Sequence, residues 1–114
     1  MARILLVDDD VDLGRLLEHV LVSAQYKVDR TDSVMGACSR LGSRSYDLVL
    51  ADARLQDGTG MEVADRARER GTRTLIITGY AFSYPELRDH DFLLKPVRPD
   101  ELLNEIERLL GSAP

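Results

Sequence analysis

The chain of 114 residues has one cysteine, two histidines, two lysines and no apolar run of membrane-spanning length. Each shortage excludes something. A single thiol, Cys38, cannot close an internal disulfide, so the fold must stand on its own core and a reducing cytoplasm is the expected compartment. His19 and His90 are far apart and not at ligand spacing, which excludes a histidine–cysteine zinc centre. No stretch approaches the roughly 20 apolar residues that span a bilayer, so no membrane partner is expected. The first apolar run, residues 4–7, meets three aspartates and is too short for a secretory core. A basic surplus is missing too: 20 acids face 15 bases, a net charge of −5. An acidic chain repels phosphate backbones, so no direct nucleic-acid partner is expected.

The bases are lopsided as well. Thirteen are arginine, and only Lys27 and Lys95 are lysine, which singles out Lys95 for a local role. The remaining composition, 44% hydrophobic and 31% charged, fits a globular domain and not a disordered tail. A chain of this length makes one domain with a real core. That domain is expected over residues 1–112, with residues 113–114 as a frayed tail. There is no internal repeat or linker.

Four short apolar runs have strand length: residues 4–7, 48–51, 75–77 and 92–94. Continuous apolar runs suit strands buried on both faces, as in a parallel sheet. Residues 26–30 alternate and read as an edge strand. Between the runs lie helical stripes. Leu13, Leu16, Leu17, Val20 and Leu21 repeat at the helical period after the cap Asp10. Val34, Ala37, Cys38 and Leu41 follow a cap at Asp32 or Ser33, which leaves Cys38 as a buried, inert thiol. Met61, Val63, Ala64 and Ala67 follow a capping box of Thr59 and Glu62. The last helix starts at Pro99, runs to about residue 110 and ends at Gly111. Strands alternating with helices imply a parallel sheet with helices on both faces.

In such a sheet, ligands bind beyond the carboxyl ends of the strands. The residues there are Asp8, Asp9 and Asp10 after the first run, Asp52 after the third strand, Thr78 and Gly79 after the fourth, and Lys95 and Pro96 after the fifth. Crowded carboxylates repel one another and resist desolvation. A hard cation with oxygen ligands, most naturally Mg2+, offsets them, and Lys95 adds an ammonium. Carboxylates, Mg2+, an ammonium and the Thr78 hydroxyl suit a phosphoryl group. Asp52 is the better nucleophile because it stands alone, whereas Asp8 and Asp9 form a pair suited to metal.

The four blocks Ile-Leu-Leu-Val-Asp8-Asp9-Asp10, Tyr-Asp-Leu-Val-Leu-Ala-Asp52-Ala-Arg-Leu-Gln-Asp-Gly-Thr-Gly, Ile-Ile-Thr78-Gly79 and Asp-Phe92-Leu-Leu-Lys95-Pro96 resemble the receiver domain of bacterial two-component response regulators over essentially the whole chain. The resemblance implies a flavodoxin-like, doubly wound (βα)5 α/β sandwich with a five-stranded parallel sheet in the order 2-1-3-4-5. It implies that Asp52 accepts a phosphoryl group from a sensor histidine kinase or a histidine phosphotransfer protein. Asp9, Asp52 and the main-chain carbonyl of Arg54 would coordinate Mg2+, with Asp8 holding it mainly through water. Lys95 would pair with the carboxylate or phosphoryl oxygens, and Thr78 and Phe92 would act as the switch. The Lys95–Pro96 peptide would be cis, accessible because the second residue is proline. A downstream protein, unidentified, would read the switched surface, with room for a homodimer. No turnover of an external substrate is expected, and the chain is either a single-domain regulator or a fragment of a longer one.

Several positions depart from the family pattern. Gly79 stands where alanine is frequent, and Phe92 where tyrosine is. Arg54, Gly79 and Tyr80 flank the site entrance, where Arg54 and Tyr80 are expected to screen water. The segment from Thr78 to Lys95 is short by more than a helical turn, so the fourth helix should shrink to a brief turn near residues 85–88, with Tyr80, Phe82 and Tyr84 covering it. Singly, the motifs have plain explanations: the aspartates as a cap and turns, Thr78 as a strand residue, Lys95 as a surface charge, Asp57-Gly58 as a turn, His19 and His90 as exposed. Two rivals remain. One is a binding module that works without phosphorylation. The other is an aspartyl-phosphate hydrolase resembling the haloacid dehalogenases, which wants an acid where Arg54 stands.

Overall fold

The computed structural model describes residues 1–79 and 84–111. Five parallel strands form the central sheet: β1 (Arg3–Val7), β2 (Lys27–Thr31), β3 (Leu48–Asp52), β6 (Arg73–Thr78) and β7 (Phe92–Leu94). A hairpin of two short strands, β4 (Arg54–Leu55) and β5 (Gly58–Thr59), fills the connection after β3. The sheet order is β2-β1-β3-β6-β7, which is 2-1-3-4-5 when only its own strands are counted. The helices are α1 (Val11–Ser23), α2 (Val34–Ser43), α3 (Gly60–Glu69) and α4 (Pro99–Leu110). This is the doubly wound α/β arrangement that the alternation of runs and stripes implied.

Strand alternation builds two cores. Ile4, Leu6, Leu48, Leu50, Leu75 and Ile77 point to one face, where Leu17 and Leu21 of α1 and Leu102 and Ile106 of α4 cover them. Leu5, Val7, Val49, Ala51 and Ile76 point to the other, under Ala37 and Leu41 of α2 and Val63, Ala64 and Ala67 of α3. Both faces of the central strands are therefore dry, which is why their sequence reads as unbroken apolar runs. Each fully buried Leu or Ile among them contributes roughly 1.5–3 kcal/mol.

The helix ends follow their local chemistry. The Asp10 side chain accepts from the Leu13 amide at 3.1 Å. Ser33, not Asp32, caps α2, accepting from the Gly36 amide at 2.9 Å. Thr59 and Glu62 close a reciprocal capping box on α3. Pro99 opens α4, and Gly111 closes it at φ 67°, in the left-handed region that glycine adopts freely.

Some expectations need correction. The run at residues 92–94 is not buried on both faces: Phe92 is 38% and Leu94 51% exposed. β7 is an edge strand, and only Leu93 packs toward α1 and α4. The described part of its crossover is one 3-10 turn, Pro85–Asp89, the brief turn expected near residues 85–88. Leu16 lies on the solvent side of α1 at 55% exposure; the buried stripe is Gly14, Leu17 and Leu21. Cys38 is half-buried. His90 is not a surface residue: its side chain is 3% exposed, with Nε2 3.4 Å from Asp65 Oδ1. Burial first, then the nearby Arg68 guanidinium, holds that imidazole below its usual pKa. His19 is exposed. Tyr80, Phe82 and residues 113–114 lie outside the described residues. No helix among the described residues is long and apolar enough to cross a membrane.

Candidate functional site

Parallel register carries the chemistry to one rim. Val7 pairs with Ala51, Asp52 with Ile77, and Thr78 with Leu94. The next residues extend the ladder by a step: the Asp8 amide donates to the Thr31 carbonyl at 3.1 Å, Ala53 to Ile77 at 2.8 Å and Lys95 to Thr78 at 2.9 Å. Asp8 and Asp52 thus share a level of the sheet, and Thr78 and Lys95 follow one and two residues further toward the same rim, although the chain separates these residues by up to 87 positions.

At that rim the Lys95 ammonium lies 2.9 Å from Asp52 Oδ2. The other Asp52 oxygen, Oδ1, accepts from the Arg54 amide at 3.2 Å. Asp8, Asp9 and Asp52 each offer a carboxylate oxygen, and these oxygens lie within 4.8 Å of one another. Asp8 and Asp52 are buried, Asp9 is open to solvent, and Thr78 is buried. Burial pushes the Asp8 carboxyl up to about 6, and the Asp52 charge adds to the rise. The Asp10 amide, donating to Asp8 Oδ1 at 2.8 Å, and the Lys95 charge pull the other way. A cavity of about 280 Å3 opens beside these groups, and Asp9, Asp52, Arg54, Thr78, Gly79, Tyr84 and Lys95 are among the residues that line it. A methyl group at Gly79 would meet nothing within 4 Å. Phe92 stands away from that lining on β7, partly exposed. The Lys95–Pro96 peptide is cis.

The donor set suits a hard divalent cation. Three carboxylates against one ammonium leave two uncompensated negative charges, the charge of one such ion. The ligating atoms are oxygens, and no histidine or sulfur belongs to the cluster. The raised Asp8 pKa is first the mark of a carboxyl taken out of water, with the nearby Asp52 charge adding to it.

Three residues have roles at the site that the sequence reading did not assign. Gly60 begins α3 so close to β3 that a Cβ there would sit 2.3 Å from the Asp52 carbonyl oxygen. Its spacing from Asp52 was the available signal. Asp57 does more than turn the chain: its carboxylate accepts from the Val34 amide at 2.7 Å and the Met35 amide at 3.0 Å. These amides, Met35 first and then Val34, hold its pKa below the usual carboxylate range. They tie the loop after Asp52 to the start of α2. Tyr84 lines the cavity, and no local pattern marks it. The contacts of Asp57 and Tyr84 are non-local, so neither was legible. Tyr80, expected beside the entrance, lies outside the described residues.

Comparison with known proteins agrees with this geometry. The response regulator receiver domain model matches residues 4–107. The chain is 36% identical over 120 aligned residues to the response regulator receiver protein CpdR of Brucella abortus, covering 99% of this chain and all of that protein. It is 31% identical to the response regulator ArlR of Staphylococcus haemolyticus, covering all of this chain and 55% of ArlR, so it spans about half the length of that relative. Among solved structures, the receiver domain of the sensor histidine kinase PA1611 from Pseudomonas aeruginosa superposes with a TM-score of 0.85 at 26% identity, covering 97% of this chain and 98% of that one. That structure holds a magnesium ion in its active site cleft.

Proposed function

The chain belongs to the response regulator receiver domain family, and on that premise we propose that it stores a phosphoryl group on Asp52, delivered by a histidine kinase or a histidine phosphotransfer protein. The observation that carries the reading is the Lys95 ammonium 2.9 Å from Asp52 Oδ2, inside an acid cluster at the carboxyl rim of the sheet.

In the proposed step an Asp52 oxygen attacks the phosphorus of a phosphoimidazole. The P–O bond forms as the P–N bond breaks, and the imidazole leaves with the electron pair and takes a proton. Lys95 holds Asp52 in place beforehand and meets the new phosphoryl oxygens afterwards. The Thr78 hydroxyl turns toward the same oxygens, and Phe92, now partly exposed, moves inward with it as the surface switch. Asp8, Asp9, Asp52 and the Arg54 carbonyl would hold Mg2+, which when bound neutralises phosphoryl oxygen charge. Arg54 stands at the position where the rival hydrolases need an acid, so the chain assists its own modification and turns over no external substrate. It works in the cytoplasm and passes its state to a downstream protein.

Incubation with acetyl phosphate is the direct test. Label should appear on the wild-type chain only with magnesium and vanish in Asp52→Asn. Equal labelling of Asp52→Asn rejects Asp52 as the acceptor, and no label on the wild type rejects the reading in favour of a binding module that works without phosphorylation.

A further inference from the structure

We infer that Asp57 is a positioning residue for the cation site: by bonding the start of α2 it holds the hairpin that carries the Arg54 carbonyl, so that magnesium affinity and the order of the first turn of α2 depend on one another. The inference rests on the proposed cation site and adds a residue outside the acid cluster to it.

The chain leaves β3 at Asp52 and enters α3 at Gly60, and the Arg54 carbonyl lies on the backbone between them. Both ends of that stretch are fixed. The Ala53 amide donates to the Ile77 carbonyl at 2.8 Å, and the Ala53 carbonyl accepts from the Gly60 amide at 3.0 Å. The middle is the hairpin in which Arg54 pairs with Thr59 and Leu55 with Gly58, which leaves Gln56 and Asp57 at the tip. Leu55 is buried and sets the depth of the hairpin. Gln56 and Asp57 are exposed, so burial does not hold the tip.

Asp57 supplies the hold. Its oxygens are shared out, Oδ1 to the Val34 amide at 2.7 Å and Oδ2 to the Met35 amide at 3.0 Å. A carboxylate engaged through both oxygens is fixed in orientation as well as in place. With Ser33 on the Gly36 amide, the opening amides of α2, which have no partner within the helix, are answered by side chains. The hairpin also lies against the helix: a Cβ at Gly58 would sit 3.0 Å from Val34 Cγ2. Hairpin and first turn of α2 therefore move together.

A carboxylate ligand can adjust by turning its side chain. A main-chain carbonyl moves only with its peptide, so its contribution to an ion depends on what holds that peptide. The coupling is reciprocal, since an ion that steadies the Arg54 peptide must also steady the tip and the α2 amides bonded to it.

The test titrates magnesium by calorimetry into the full, unphosphorylated chain after chelator treatment. In Asp57→Ala the Kd should rise at least about fivefold, the lower end of coupling between two sites. Ser33→Ala loses a bond at the same turn but none to the hairpin, and its Kd should equal that of the wild type. Asp57→Asn keeps one acceptor oxygen; its Kd should fall between the two, which gives a reading even if the alanine variant does not fold. The differences should persist in 1 M salt, where charges more than roughly 3 Å apart are screened. In the converse experiment, magnesium should slow amide exchange at Val34 and Met35 in the wild type and not in Asp57→Ala. Equal affinity in the wild type and the Asp57 variants overturns the inference. So does an equal loss in Ser33→Ala, a difference that salt abolishes, or α2 amides that ignore magnesium in the wild type. A wild type that binds no magnesium overturns the cation site itself.

Discussion

Replacing Asp8 by asparagine should stabilise the protein in the absence of divalent cation. Burial lifts the Asp8 pKa from 3.8 to about 6, so the folded state prefers the neutral carboxyl. A raised acid contributes fully below 3.8, and its contribution is lost as pH rises through about 6. At pH 7.5 the ionised group then costs up to about 3 kcal/mol, from 1.36 kcal/mol for each pH unit between the two values. Asparagine is neutral at every pH and its carbonyl can still accept from the Asp10 amide, now 2.8 Å from Asp8 Oδ1. Its NH2 group needs a partner, which trims the gain to about 1–3 kcal/mol. Urea unfolding with chelator should show Asp8→Asn above wild type at pH 7.5, with about half that margin at pH 5, where the carboxyl is largely protonated. Added magnesium should stabilise the wild type, since a ligand bound to the folded state adds RT ln(1 + [L]/Kd), and should stabilise the variant less. A variant weaker than wild type at pH 7.5, or a margin independent of pH, refutes the reasoning.

Other perturbations follow from the same geometry. Gly60→Ala places a methyl 2.3 Å from the Asp52 carbonyl oxygen; α3 or β3 must shift, lowering stability by about 1–3 kcal/mol and slowing labelling by acetyl phosphate. Asp57→Ala frees the Val34 and Met35 amides, so its melting temperature should fall at neutral pH. Because the Asp57 pKa is lowered, its contribution is present above 3.8 and fades as pH falls through the folded value, so thermal melts of wild type and variant should converge in acid. Leu87→Ala removes the buried pin of the 3-10 turn and should cost about 2–4 kcal/mol by urea unfolding.

The parts of the fold that were legible are those whose cause is local. Residues 4–7 and 48–51 are apolar without break because both faces of β1 and β3 are covered. Thr59 and Glu62 announce α3 because a capping box is written within four residues. Pro85 and the scarcity of apolar residues after it gave the short turn. The misreadings are tertiary. Phe92 and Leu94 look like core, but burial depends on what a neighbouring element covers. His90 looks like surface, yet α3 brings Asp65 and Arg68 against it from a distant part of the chain. At the site, Asp8, Asp9, Asp52, Thr78 and Lys95 were visible because each ends a strand or follows one within two residues. Tyr84 and Asp57 were not, since the first reaches the cavity across a connection and the second caps a helix that precedes it in sequence.

The central claim is that the Asp52 carboxylate, held by Lys95, takes the phosphoryl group. The most direct measurement charges the chain with acetyl phosphate and magnesium, reduces the acyl phosphate with borohydride and maps the product by peptide mass spectrometry. The expected result is homoserine at position 52 alone, absent when magnesium is chelated and reduced in Lys95→Ala. Reduction at Asp8 or Asp9 in place of Asp52, or modification that persists without magnesium, would contradict it.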